Sequence, residues 1–224
     1  MQATTLLSER YEVTGSVARG GMAHVFRGVS RAPVDQQRHV AVKRLLPNFG
    51  GNERFQAMFL EEARVVADLQ HPNIASFYEL CHDDGGMLCI VMEWVDGVDL
   101  SRMLLAARDV ARPVAVPDAA FIATSVLKAL SAAHRRASGP VFHRDVTPAN
   151  ILVSRAGEVK LTDFGLARAM DRMTVTLPGV VVGKLAYVAP ELIAAERSTA
   201  ASDIYSLGVV LWEMLAGRRL FQAQ

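Results

Sequence analysis

The chain has 224 residues, 51% hydrophobic and 21% charged, a composition that excludes a disordered, collagen-like or disulfide-stapled protein. Its 24 lysines and arginines against 23 aspartates and glutamates leave a net charge of +1, without the basic footprint of a nucleic-acid binder. Only four basic residues are lysines (Lys43, Lys128, Lys160 and Lys184), so each is a rarer choice than arginine.

In chain order, Met1 to Arg10 has no apolar signal-peptide core, and no uncharged run reaches the roughly 20 residues that span a bilayer. The expectation is a cytoplasmic segment without a membrane span. From Tyr11 to Arg44 β-favouring residues alternate around a glycine-bearing turn, and Val40-Ala41-Val42 reads as a buried strand. Phe55, Met58, Phe59, Ala63, Val66 and Leu69 recur at helical spacing until His71-Pro72 stops the helix. Ile74 to Leu80 and Met87 to Val95 read as strands joined by a turn at Asp83-Asp84-Gly85-Gly86. Cys81 and Cys89 flank that turn and, without a secretory signal, are expected as free thiols.

Past Gly97 the character becomes helical. Leu100 to Ala107 and Asp118 to Arg136 are rich in alanine and leucine, with Asp118 an N-cap candidate after Pro117. Short strands at Ile151 to Val153 and Val159 to Leu161 precede a long loop, Asp163 to Glu191, and a helix over Ser202 to Ala216. A boundary between two lobes falls near Val95 to Val98.

Three segments carry chemistry. The run from Val17 to Val25 contains Gly20-Gly21 between strands, which suits either a plain hairpin or backbone folded over phosphates. Lys43 closes a buried strand, where a cation is costly unless it meets an anion or snorkels to solvent. His143-Arg144-Asp145-Val146-Thr147-Pro148-Ala149-Asn150 is followed, thirteen residues after Asn150, by Asp163-Phe164-Gly165. That order supplies one carboxylate able to accept a hydroxyl proton and two oxygen ligands for a hard cation.

With these residues in place the chain resembles the protein kinase family, most closely the bacterial enzymes of the eukaryotic Ser/Thr type, from about Tyr11 to Leu220. The resemblance implies an α+β, two-lobed fold: an N-terminal extension over 1–10, a small antiparallel β-sheet lobe with one helix over 11–95, and a mainly helical lobe over 96–224 that lacks its last helices. It implies Mg²⁺ and ATP as cofactors and transfer of the γ-phosphate to Ser/Thr hydroxyls of a protein substrate. By resemblance the stretch Ala18 to Val25, with Gly20 and Gly21, covers the phosphates. Lys43 holds the α- and β-phosphates, and Glu62, preferred over Glu61, is its helix partner. Asp145 is the catalytic base, Asn150 and Asp163 are metal ligands, and Ala189-Pro190-Glu191 ends the activation segment. Met92 gates the pocket, the backbones of Glu93 and Val95 hold adenine, Asp99 reaches the ribose, and Val25, Ala41 and Leu152 sandwich the base. Asp203 resembles the buried acid that supports the catalytic loop.

The chain departs from the family pattern in three places. Ala18 and Ala23 replace the outer glycines of the phosphate loop, which predicts a stiffer loop. Thr147 stands where these kinases carry a lysine and Lys184 where they carry a threonine, so the two residues look exchanged, with Lys184 supplying the charge and Thr147 the hydroxyl. The missing helices predict exposed apolar surface around Leu207, Leu211 and Met214. Arg144 implies a phosphate reader, with Thr174 and Thr176 as the candidate phosphorylation sites and self-association compatible with autophosphorylation. A non-catalytic nucleotide-binding scaffold is the alternative, and a small-molecule phosphotransferase a weaker third.

Overall fold

The computed structural model describes residues 5–7, 10–31, 37–164 and 185–221, and the chain divides into two compact units. Unit 1 comprises residues 1–70 and 75–94, and unit 2 comprises 71–74 and 95–224.

Unit 1 is built on a six-stranded antiparallel sheet in the order β1-β2-β3-β4-β6-β5. The strands are β1 (Thr5–Leu7), β2 (Tyr11–Arg19), β3 (Ala23–Ser30), β4 (His39–Leu45), β5 (Phe77–His82) and β6 (Leu88–Glu93). β1 lies inside the stretch expected to be a plain extension; it pairs with β2 and buries Leu7 to 2% exposure. The period of two sends alternate residues of β4 to opposite faces. Val40 and Val42 join Leu7, Cys81, Cys89 and Val91 on one side. Leu45 joins Ala23, Phe59, Ala63, Leu88 and Ile90 on the other. A short helix α1 (Pro47–Gly50) leads into α2 (Glu53–Ala67), whose N-cap Asn52 accepts hydrogen bonds from the N–H groups of Arg54 and Phe55. That cap starts the helix two residues ahead of the apolar period. Cys81 and Cys89 face each other across β5 and β6 as free, buried thiols.

The strand expected from Ile74 begins only at Phe77, because residues 71–74 are taken up by unit 2. Ile74 forms a parallel bridge with Leu161, Leu161 N–H donates to Asn73 O, and Asn73 Nδ2 donates to Val159 O.

Unit 2 holds a three-stranded sheet, β7 (Gly97–Asp99), β8 (Ile151–Ser154) and β9 (Val159–Leu161), in that order. Its helices are α3 (Leu100–Asp109), α4 (Val116–His134), α5 (Pro190–Ile193) and α6 (Ala200–Ala216). Gly97 is required: a Cβ there would sit 2.0 Å from Val153 O. α4 starts at Val116 with Ala115 as N-cap, so Asp118 is not the cap. Proline in the first turn needs no N–H partner, and Asp118 instead faces the positive end of the helix. α4 is long and apolar enough to cross a membrane by length and composition, yet it is a core helix here, burying Ile122, Val126 and Leu130. α6 carries a capping box between Thr199 and Ser202 and ends at Gly217 with φ +65°. Leu207 and Met214, expected on exposed surface, are buried; the exposed apolar side chains of α6 are Ile204, Trp212 and Leu215.

Candidate functional site

Strand register in unit 1 gathers most of its candidate residues on one face. Ala18 pairs with Val25, Val25 with Lys43, and Lys43 with Ile90; two residues along, Ala41 pairs with Met92. Directly opposed residues share a face, so Ala18, Val25, Ala41, Lys43 and Met92 form one continuous surface. Lys43 donates to Glu62 Oε1 at 2.7 Å with both side chains buried (4% and 2% exposed), while Glu61 lies exposed on the next face of α2. An ion pair this deep survives only with good geometry. The turn between β2 and β3 closes with Gly20 N–H donating to Ala23 O at 2.8 Å. Neither Ala18 nor Ala23 adopts positive φ, so the alanines that replace glycine carry no backbone strain. Glu93 N–H donates to Ser76 O, and Glu93 Oε2 accepts from Ser76 N–H.

In unit 2 the loop before a short 3₁₀ turn at Pro148–Asn150 is held by one buried acid far along the chain. Asp203 is 0% exposed; Oδ2 accepts from His143 N–H (2.8 Å) and lies 2.7 Å from His134 Nε2, and Oδ1 accepts from Arg144 N–H (2.7 Å). Arg144 stands at φ +67° and Asp163 at φ +63°, conformations an L-residue keeps only where its surroundings hold it. His143 is fully buried. Asp145 N–H donates to its Nδ1 (3.2 Å), so the ring proton sits on Nε2 and is donated to Thr162 O (2.9 Å). Phe164, also fully buried, packs edge-on against that ring at 4.6 Å. Asn150 Nδ2 donates to Asp145 O (2.8 Å) and to Asp145 Oδ2 (3.0 Å), and Thr162 N–H donates to Asn150 O (3.0 Å). Asp145, Asn150 and the approach to Asp163 are thus one hydrogen-bonded assembly.

This donor set fits a hard divalent cation. Asn150 turns its amide nitrogen to Asp145, leaving Oδ1 as the atom it can offer, and Asp163 supplies a carboxylate. Such a cation takes few protein oxygens and completes its shell with phosphate oxygens and water. Among the described residues no cluster of three or more His, Cys, Asp or Glu side chains forms a self-sufficient metal cage.

Of the remaining candidates, Asp99 and Leu152 are direct partners in the β7–β8 pair, and Val95 belongs to unit 2. Asp99 caps α3, accepting at Oδ1 from Arg102 N–H and from Ser101 Oγ. Thr147 is buried at the start of the 3₁₀ turn and accepts from Asn150 N–H through its carbonyl. Lys184, Thr174 and Thr176 lie outside the described residues. Glu191 accepts from Ser202 Oγ at 2.5 Å, which holds its carboxyl below the usual carboxylate range.

Sequence reasoning passed over two features. His134, at the end of α4, shares Asp203 with the loop; only its position at a helix end, nine residues before His143, hinted at it. Glu213, 3% exposed on α6, accepts from Tyr187 Oη and pairs with Arg108, and burial together with that bond pushes the Tyr187 hydroxyl pKa up. A glutamate among apolar helix residues was its only signal.

A profile described as protein kinase domain matches residues 11–224. The chain is 36% identical over 218 residues to the probable serine/threonine-protein kinase PknB of Lactococcus lactis, covering 97% of this chain and 33% of that protein. It is 39% identical over 218 residues to the serine/threonine-protein kinase PknL of Mycobacterium tuberculosis, covering 97% and 52%. Among solved structures, the PknI kinase domain of M. tuberculosis superposes with a TM-score of 0.73 at 28% identity, covering 99% of this chain and 78% of that one. The chain spans about a third to a half of the length of these curated relatives.

Proposed function

Because the chain belongs to the protein kinase domain family, we propose that it transfers the γ-phosphate of ATP to serine and threonine hydroxyls of proteins. The observation that carries this reading is the assembly of Asp145, Asn150 and the Asp163 approach around a strained loop anchored by Asp203. In this reading Asp145 accepts the proton of the attacking hydroxyl, and the Asn150 amide bonded to its Oδ2 holds the carboxylate in one orientation. Mg²⁺, bound by Asn150 and Asp163, would neutralise charge on the phosphates. In unit 1, Lys43, fixed by Glu62, holds the α- and β-phosphates, and the apolar face of Val25, Ala41 and Met92 suits a flat base. By the resemblance, Glu93 in unit 1 and Val95, Asp99 and Leu152 in unit 2 keep the nucleotide-binding roles expected of them. Free buried thiols support a reducing, cytoplasmic setting. We assign Lys184 to the γ-phosphate in place of the lysine that Thr147 displaces, and Thr174 or Thr176 to phosphate recognition by Arg144. No observation favours the non-catalytic alternative.

The test is phosphate transfer to a mixed serine/threonine peptide library. Asp145→Asn should lower kcat by roughly 10²–10⁴-fold while ATP binding persists. Lys184→Thr should lower kcat more than it raises the KM for ATP. Undiminished transfer by the Asp145 variant removes the assignment of the base, and a wild-type kcat for the Lys184 variant removes the exchange.

A further inference from the structure

The exposed flank of α4 in unit 2 carries a groove of about 540 Å³, separate from every residue assigned above. Its walls include His71, Thr124, Leu127, Lys128, Ser131 and Arg135. The α4 members fall at i, i+3, i+4, i+7 and i+8, a single stripe along the helix, and Arg135, the residue that caps its C-terminus, continues the stripe. Phe121, three residues ahead of Thr124 and 57% exposed, extends it, and Leu127 is 41% exposed within it.

The chemistry of the walls is one-sided. Lys128 and Arg135 are donors only, Thr124 and Ser131 offer hydroxyls, and no aspartate or glutamate lines the groove. His71 Nδ1 accepts from Asn73 N–H at 3.1 Å, so its ring proton sits on Nε2 and is a further donor. Burial, and then the neighbouring Lys128, hold its pKa below the ordinary value, keeping the ring neutral in that tautomer. Arg135 folds back along the helix end, with Nε donating to Ser131 O and a terminal nitrogen to Ser131 Oγ.

Spacing selects the shape of the ligand. Lys128 and Arg135 are two helical turns apart, roughly 10 Å along the axis. An extended chain with three residues per turn and a rise of 3.1 Å presents every third residue on one side, about 9 Å apart. We propose that this flank of α4 docks an acidic protein segment in which carboxylates recur every third residue, with apolar side chains beyond the carboxylate at Lys128 against Leu127 and Phe121, which precede it along the helix. Two cations next to an exposed apolar strip, on a chain of net charge +1, suit a short acidic-apolar peptide better than a polyanion.

The measurement is fluorescence anisotropy of the 224-residue chain without nucleotide, so it stands or falls independently of phosphate transfer. The probes are a fluorescein-labelled peptide of four Glu-Pro-Leu repeats and its Gln-Pro-Leu counterpart of the same shape. The Glu peptide should bind saturably, weaken with added salt, and lose at least about tenfold in affinity in the Lys128→Glu/Arg135→Glu double variant. The milder Lys128→Gln/Arg135→Gln pair, checked by its thermal melt, should lose affinity without loss of fold. Equal binding of the Gln peptide, or wild-type affinity in a folded double variant, overturns the proposal, as does the absence of saturation. Tighter binding of an oligodeoxythymidylate or of phosphatidylserine vesicles that displaces the peptide reassigns the groove and overturns the peptide reading.

Discussion

Both units bury charge, and they do so in opposite ways. In unit 1 the most deeply buried charges form a compact ion pair, Lys43 with Glu62, one on a strand and the other on a helix. In unit 2 the most deeply buried charge is the carboxylate of Asp203, and its partners are two backbone N–H groups of a loop and an imidazole, drawn from positions 59 to 69 residues away. The first arrangement sits on a regular frame that would exist without it. In the second the acid defines the conformation of the loop, since nothing local favours φ +67° at Arg144. Folding should therefore depend less on the ion pair than on Asp203.

The sharpest way to break this contrast is Asp203→Ala. It orphans three donors, one buried and two part-buried, at roughly 1–3 kcal/mol each, so the expected loss is on the order of 5 kcal/mol by urea titration. Asp203→Asn keeps one acceptor and should fall between the two. If Asp203→Ala costs less than ~1 kcal/mol, the loop does not depend on the acid.

A smaller effect comes from the other side of the comparison. Glu62→Ala strands the Lys43 charge and should cost about 3 kcal/mol, whereas Lys43→Met with Glu62→Leu should return to within roughly 1 kcal/mol of wild type, since an apolar pair of similar volume replaces a buried ion pair. Nucleotide binding should stay impaired in the double variant. A double variant as unstable as Glu62→Ala would show that the pair is structural.

These expectations follow what was and was not legible in the sequence. Lys43 and Glu62 could be named as partners through the resemblance to the kinase family; the residues alone gave a lysine closing the buried strand Val40 to Val42 and a helical stripe through Met58, Phe59, Val66 and Leu69 that favours Glu62 over Glu61. Asp145, Asn150 and Asp163 were legible as a linear motif. Their geometry was not, because left-handed φ at Arg144 and Asp163 is imposed by tertiary bonds rather than by residue type. Ile74 was misread as strand β5 for the same kind of reason: its apolar neighbours suit a strand, but Asn73 is claimed by β9. On α6, Leu207 and Met214 were expected exposed by comparison with the family pattern rather than from the period of the helix, and both are buried, the exposed apolar positions being Ile204, Trp212 and Leu215.

The smallest expected effect separates the units by pH. His24 in unit 1 and His71 in unit 2 both have pKa values below 6.5, each chiefly through burial, with Arg19 and Arg44 adding to the first and Lys128 to the second. The unfolded chain therefore binds more protons just below pH 6.5, so their contribution is fully present above that value and is lost as pH falls through the folded pKa values. Urea midpoints at pH 7.5 and 5.5 should differ less in His24→Gln and in His71→Gln than in wild type. An unchanged difference in both would remove these histidines from the pH response.

The chain has two cysteines, both buried, and the Cys89 thiol is pushed up to about 12 by burial and by Cys81 beside it. At neutral pH almost no Cys89 thiolate exists to meet an alkylating reagent, and neither sulfur is presented to one. The native molecule is thus nearly silent to maleimides, so a single cysteine introduced at Thr124 or Ile204 would carry a spin or fluorescent label alone, with no background thiol to remove first.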